Sequence, residues 1–388
     1  MRIGITCHPT YGGSGTVATE LGMALARRDH SVHFICTAEP YRMRGYHPNL
    51  YFHQVDVMPY PLFENPPTAL SVATKMVETV RTERLDLLHV HYAVPHATSG
   101  YLAKQMYTDV SESLGEPSGL KVITTLHGTD ITLVGINPSY HAITRFSIVK
   151  SDGVTAVSRF LHDETVEKFG VERPIEVIPN FVDIDRFSRV SCQGKRRRYA
   201  LDDQQIVMHI SNFRPVKRPV EVVEIFAKIH RRTPAKLLMI GDGPLRSACH
   251  ERAQELNVLK DTWFLGRQEE VESLLGLADV FLLPSDTESF GLAALEAMSC
   301  EVPVVATRTG GLPEMVVDGV TGVLADVGDI EGMAEGALEI FGNSQSKANM
   351  GKASRERAMS MFEEEAVVIQ YEDYYKKVMA EDAVAVTA

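Results

Sequence analysis

The sequence predicts an α/β protein of two Rossmann-like domains, each on a parallel sheet, facing one another across a cleft. Three observations carry this. The chain has 388 residues, too many for one ordinary core and suited to two of about 180 residues each. Short apolar runs alternate with amphipathic segments along its whole length, which is the pattern of strand, helix and strand in a parallel sheet covered on both sides. The runs also fall into two series, each with glycine-bearing polar loops after its strands.

In the first series, Ile3 to Cys7, Val32 to Cys36, Leu85 to His91, Val122 to Leu126, Gly153 to Val157 and Ile175 to Ile178 read as buried strands. The second comprises Ile206 to Ile210, Leu237 to Ile240, Trp263 to Leu265, Val280 to Leu283, Val302 to Ala306 and Gly322 to Leu324. Val17, Leu21, Ala24 and Leu25 recur at helical spacing and give the first helix one apolar face. The irregular charged stretch near 182–203 separates an N-terminal domain of residues 1–185 from a C-terminal one of 203–362. A last helix, roughly 363–380, follows the second series and is able to pack back on the first domain.

Hydrophobic residues make up 44% and charged residues 23%, so the chain can bury a core. A formal net charge of −12 argues against nucleic acid as the main partner, because a phosphate backbone needs a basic face. The basic run Lys195 to Arg198 reads as a solvated surface connection. Cys7, Cys36, Cys192, Cys249 and Cys300 form no CxxC pair and no metal-ligand spacing, which indicates a reducing, cytosolic setting. The start, MRIGITCHPT, reads as a strand rather than a signal peptide, and no later stretch reaches membrane-spanning length.

In open parallel sheets ligands bind beyond the carboxyl ends of the strands, so the loops there hold the candidate residues. After the first strand, Gly12, Gly13, Ser14 and Gly15 lead into a helix whose N-terminal N–H groups favour an anion. Two rival readings are a purely structural turn and a dinucleotide fingerprint, Gly13-Ser-Gly15-Thr-Val-Ala18 with Glu39. The fingerprint would leave the second half of the chain unexplained.

The sharper signal follows Val280 to Leu283. There Glu288, Ser289, Phe290, Gly291, Leu292 and Glu296 form an E-S-F-G-L-x-x-L-E string that turns from strand into helix. Backbone N–H groups of about residues 290 to 293 suit a diphosphate, Glu288 a sugar ring and Glu296 a ribose. The loop after Ile210 supplies the cations Arg214 and Lys217, aimed where a departing diphosphate gathers charge. Gly241-Asp-Gly-Pro244 and Thr309-Gly-Gly-Leu-Pro-Glu314 read equally as turns or as rim contacts.

Together these motifs resemble retaining glycosyltransferases of family 4, over essentially the whole chain. The resemblance implies the GT-B architecture, a nucleotide-sugar donor held mainly by the C-terminal domain, no cofactor and no required metal ion. Many family members carry an arginine five residues before the lysine, where this chain has Asn212; the narrower pattern puts Arg214 in its place.

The strings IGITCHPTYGGSGTVATELG, LHVHYAVPHA, TTLHGTDIT and RFSIVKSDGVTAVS resemble the malate-directed branch of the family, which serves bacillithiol biosynthesis. That implies UDP-N-acetylglucosamine as donor and L-malate as acceptor. It also implies acceptor contacts for Tyr92, Thr125 and His127. Ser14 and Arg145 suit the two malate carboxylates chemically. His127 is then a catalytic candidate beside Lys217, Arg214 and Glu288, and Gly13 a donor contact, while His89 and His96 read as structural. A homodimer is compatible with the sequence, as is another family 4 acceptor. Rivals of other classes are a UDP-sugar epimerase, a Rossmann oxidoreductase and a non-catalytic nucleotide-sugar sensor.

Overall fold

The computed structural model describes residues 1–43, 45–59, 62, 64–115, 119–189 and 193–385, the side chains of 193, 194 and 382–385 excepted. Two compact units emerge, one of Met1–Pro179 with Glu365–Ala388, the other of Asn180–Glu364. The chain therefore changes unit a few residues before the expected boundary at 185, and its last helix, Glu364–Ala385, belongs almost wholly to the first unit.

Seven strands build the first unit: β1 (Arg2–Thr6), β2 (Ser31–Cys36), β3 (Leu50–Gln54), β4 (Leu87–His91), β5 (Lys121–Leu126), β6 (Gly153–Ala156) and β7 (Glu176–Val177). Their order is β3-β2-β1-β4-β5-β6-β7, every pair parallel. The second unit holds β8 (Gln205–Ile210), β9 (Ala235–Ile240), β10 (Thr262–Gly266), β11 (Val280–Leu283), β12 (Val304–Thr307) and β13 (Gly322–Ala325). These run β10-β9-β8-β11-β12-β13, again all parallel.

Both sheets thus share one plan. The chain moves outward from a central strand, returns to that strand's other side and moves outward again. All twelve apolar runs are strands. The thirteenth, β3, lies at a sheet edge with Tyr51 exposed, so it lacks the unbroken apolar stretch that marks the others.

Helices cover the sheets with the faces their spacing predicts. The first, Gly13–Arg27, buries Val17, Leu21, Ala24 and Leu25. In the second unit, Val222, Phe226 and Ile229 of helix Pro219–His230 share a core with Val207, Leu237, Met239 and Leu282.

The last helix is tied to the first unit by polar contacts as well as packing. Tyr374 Oη accepts the Val154 N–H at 2.7 Å and donates to the Val154 carbonyl at 3.1 Å. Arg28 Nε and Nη2 donate to Glu372 Oε1 and Oε2 at 2.8 and 3.1 Å, and His30 Nε2 lies 2.9 Å from Oε1. The Arg28 hydrogen bonds, with those of His30, hold the Glu372 carboxyl at about 2.

A carboxyl depressed in the folded state contributes stability above its unfolded value, and that contribution is lost as pH falls through the folded one. Glu372→Gln should therefore lower the unfolding free energy at pH 7 by about 1–2 kcal/mol. The gap from the parent should close as pH drops from about 4.5 towards 2. Urea midpoints of both proteins across that range test this, and a gap that stays constant in acid would refute it.

Candidate functional site

The reversal of strand order sits between β1 and β4 in the first unit and between β8 and β11 in the second. Loops leaving the two central strands diverge there, so their polar groups face away from the sheet rather than into it. In each unit the loops after those two strands meet. His8, after β1, packs edge-on against Tyr92, after β4, with ring centroids 5.0 Å apart. Lys217, after β8, pairs with Glu288, after β11, at 2.5 Å.

In the second unit, Glu288 is 8% exposed and its Oε1 takes both the Lys217 ammonium and the Ser285 hydroxyl, the latter at 2.9 Å. Burying a carboxylate is costly unless it is paired, and Lys217 supplies the counter-charge. The loop around Glu288 is clamped from β12 onward. Thr307 Oγ1 donates to the Ser285 carbonyl at 2.6 Å, Thr309 Oγ1 to the Asp286 carbonyl at 3.0 Å and Gly311 N–H to the Glu288 carbonyl at 2.8 Å. Gly310, at φ 58°, lies so close that a Cβ would meet the Glu288 carbonyl oxygen at 1.9 Å. The T-G-G turn therefore positions Glu288 through its backbone.

Helix Leu292–Ser299 starts behind an N-cap at Gly291, with φ of 97°. Ala294 N–H is the first to bond back to Gly291, at 2.9 Å, which leaves the N–H groups of Leu292 and Ala293 as orphan donors at a helix start. Ser289 is half-buried before them, and Glu296 lies on the same helix at 4% exposure. The Phe290 ring is buried edge-on against Phe362, 5.5 Å between centroids, so it packs the core while its backbone borders the loop.

Arg214 is exposed, and no hydrogen bond or ion pair among the described residues joins its side chain to Lys217 or Glu288. Its neighbour Arg218 instead grips Asp286 and Glu221.

In the first unit, Gly13 and Ser14 open the first helix, Gly13 exposed and Ser14 half-buried. Thr16 N–H bonds to Gly12 at 3.0 Å, so the three N–H groups before it are the helix's orphan donors. Gly15 allows the preceding loop to cross this helix start, since a Cβ there would sit 2.5 Å from the His8 carbonyl oxygen.

Tyr92 holds φ 92° and ψ 131°, a region rarely entered by residues with a side chain. Its N–H donates to the Thr125 carbonyl at 3.0 Å, and its ring stacks on His127, 5.6 Å between centroids. His127 Nε2 lies 2.8 Å from His91 Nδ1, and burial pushes the His127 imidazole down to about 3, so it is neutral at ordinary pH.

A residue not assigned from sequence organises this pair. Asp130, fully buried, accepts the N–H groups of Ala93 at 2.9 Å, His127 at 3.1 Å and Gly128 at 2.8 Å. One carboxylate thus locks the loop after β4 to the loop after β5. Its only sequence signal was its place in Gly128-Thr-Asp130.

One acceptor candidate falls elsewhere. Thr125 is a correction: fully buried, its hydroxyl lies 2.7 Å from both His89 Nε2 and Thr155 Oγ1, inside the sheet layer. Arg145, exposed on helix Pro138–Lys150, donates through Nε to the Phe169 carbonyl at 2.9 Å. That bond occupies one of its five donors.

Comparison with known proteins identifies the family. Residues 11–186 match the model described as Glycosyltransferase Family 4, and residues 193–357 match Glycosyl transferases group 1. The chain is 45% identical over 384 residues to the N-acetyl-alpha-D-glucosaminyl L-malate synthase of Bacillus anthracis, covering 98% of each chain. It is 28% identical to a GDP-mannose-dependent phosphatidylinositol monomannoside mannosyltransferase of Mycolicibacterium smegmatis, over 74% of this chain and 76% of that one.

Two solved structures share the fold. Sucrose-phosphate synthase from Thermosynechococcus elongatus aligns with a TM-score of 0.77 at 21% identity, over 98% of this chain and 100% of that one. Anabaena HepE in complex with UDP and glucose aligns with a TM-score of 0.80 at 19% identity, over 96% and 98%. With two Rossmann-like parallel sheets, a half-buried Lys–Glu pair at one switch point and a full-length relative at 45% identity, the chain belongs to glycosyltransferase family 4 and is a glycosyltransferase.

Proposed function

We propose that this chain transfers N-acetylglucosamine from UDP-N-acetylglucosamine to the hydroxyl of L-malate, with retention at the anomeric carbon, as a step of bacillithiol biosynthesis in the cytoplasm. The observation that carries this reading is the 45% identity to an N-acetyl-alpha-D-glucosaminyl L-malate synthase over nearly the full length of both chains.

The chemistry follows from the two sites. The second unit takes the donor: the N–H groups of Leu292 and Ala293 receive the diphosphate, and Gly291 lets the backbone approach it. Lys217 already neutralises one buried anion, Glu288. As the bond from anomeric carbon to phosphate loosens, the negative charge on the leaving diphosphate draws the same ammonium, with Arg214 as a second cation from that loop. Glu288, released in part from Lys217, accepts hydrogen bonds from the sugar, and Glu296 from the ribose. A preset cation aimed at developing charge stabilises the transition state more than the ground state.

The first unit takes malate. Ser14 and the N–H groups beside it hold one carboxylate, and Gly13 leaves the backbone open to the diphosphate. Arg145 has four donors for the other carboxylate. Tyr92 and neutral His127 orient the hydroxyl and the sugar. Malate attacks from the face that the phosphate leaves, and the departing phosphate oxygen takes the hydroxyl proton. Retention then needs no protein nucleophile and no metal ion. Among the described residues no helix is long and apolar enough to cross a membrane, which suits two water-soluble substrates.

The decisive experiment incubates the protein with UDP-N-acetylglucosamine and L-malate in EDTA, following UDP release and the anomeric proton by NMR. Malate-dependent UDP and an α-linked product are expected. UDP release without malate, a β product, or activity restored only by Mg²⁺ would each overturn a named part of the reading. Lys217→Ala should reduce kcat by on the order of 10²–10³ with a smaller change in UDP affinity; an unchanged kcat removes it from the site. Because His127 stays neutral down to about pH 3, the pH profile of kcat/KM should show no limb from it between pH 5 and 8. A limb near 6.5 that disappears in His127→Gln would contradict this.

A further inference from the structure

Cys7 and Cys36 are a matched pair. Cys36 ends β2 and Cys7 follows β1 by one residue. Extending the Ile5–Phe34 pairing by two residues sets them opposite one another. Neighbouring strands lie about 4.8 Å apart, within the Cα separation of roughly 4.4–6.8 Å that a disulfide spans. The two Sγ atoms stand 4.0 Å apart as free thiols, and the Cys36 thiol also reaches the Cys7 carbonyl at 3.5 Å.

Both are closed to bulk water, Cys7 at 1% and Cys36 at 2% exposure. They are not sealed in the core, however. With Thr6, His8, Ile35 and His96 they line a cavity of about 350 Å³. His96 is buried there, and neither of its ring nitrogens has a hydrogen-bond partner among the described residues. A mostly apolar cavity that presents two thiols and an imidazole suits a small molecule that reacts with thiols.

We propose that Cys7 and Cys36 form a reversible disulfide by exchange with a low-molecular-weight disulfide entering this cavity, and that closing it weakens the ligand loop of the first unit. The hydrogen bond from Cys7 holds the Cys36 thiol below its ordinary value, while that bond and burial push Cys7 up, so Cys36 is the attacking sulfur. Its thiolate attacks one sulfur of the small disulfide, whose S–S bond breaks and releases one thiol that carries the proton from Cys36. Cys7, giving up its proton, then attacks Cys36 in the mixed disulfide and releases the second thiol. Two protein thiols are oxidised and one small disulfide is reduced to two thiols.

The bond must bring the sulfurs from 4.0 Å to about 2.05 Å. Cys7 is joined to His8, whose ring packs on Tyr92 and whose carbonyl lies against Gly15 beside Ser14. A shift at Cys7 is therefore passed to both the Tyr92 and the Ser14 loops. The effect on catalysis rests on reading those loops as the malate site; the bond itself does not.

The test treats the full-length enzyme with bis(2-hydroxyethyl) disulfide and maps peptides without reduction. A cross-linked Cys7–Cys36 peptide is expected, with kcat/KM for malate lower by on the order of tenfold to a hundredfold, both reversed by dithiothreitol. Cys36→Ser should start from the parental rate, form no cross-link and ignore the reagent, and Cys7→Ser should share that immunity. Absence of the cross-link overturns the proposal, as does a cross-link that leaves kcat/KM unchanged. A cross-link in a protein that turns over another acceptor would uphold the disulfide and remove only the malate reading.

Discussion

A strand order that reverses about its first strand leaves a notch at the carboxyl edge of the sheet, where two loops part to opposite faces. Backbone and side-chain polar groups of those loops cannot be satisfied by the sheet, so they must find one another, water or a ligand. This chain meets that constraint twice with different chemistry. In the second unit the loops after β8 and β11 are joined by an ion pair, Lys217–Glu288. In the first, rings join the loops after β1 and β4, and Asp130 joins the loop after β4 to the one after β5.

The difference decides what each notch can hold. A buried carboxylate with one cation is stable only while the cation stays near, and it yields part of that cation when a stronger anion arrives. Glu288 also keeps the Ser285 hydroxyl, and the T-G-G turn fixes its backbone, so the carboxylate stays in place as Lys217 is shared. Among the described residues the first notch has no such ion pair; its Asp130 carboxylate is held by three backbone N–H groups. Its imidazoles are neutral, because burial disfavours protonation and each histidine lies near another. Neutral rings and helix-start N–H groups suit the hydroxyl acceptor proposed for this unit, since they commit no net charge to it.

Much of this was readable in the residues. Strands buried on both faces are continuous apolar runs, so all twelve such runs and the two series appeared directly. Lys217 and Glu288 follow two of those runs, and the switch-point rule makes them neighbours. The misses share one cause, which is that a strand-end position does not reveal the side from which a side chain leaves. Thr125 ends β5 as expected, yet it bonds to His89 and Thr155 inside the sheet layer. Asp130 was visible as a residue and invisible as a clamp, since its three donors come from two loops that only the sheet brings together.

The last helix extends the argument from the site to the whole first unit. Tyr375 Oη lies 2.7 Å from His89 Nδ1, whose Nε2 lies 2.7 Å from Thr125 Oγ1. His89 in turn packs on His91, ring centroids 4.3 Å apart, and His91 bonds to His127. A neutral imidazole has one donor and one acceptor nitrogen, so the bond made by Tyr375 selects the tautomer that Thr125 sees. The terminal segment therefore completes the polar layer that supports His127 from behind. A chain cut before that helix would lose Tyr371, Tyr374 and Tyr375 from the unit and leave His89 buried without its tyrosine partner. The return of the chain to its first domain is thus part of how the loops around His127 are held, as well as of how the fold is closed.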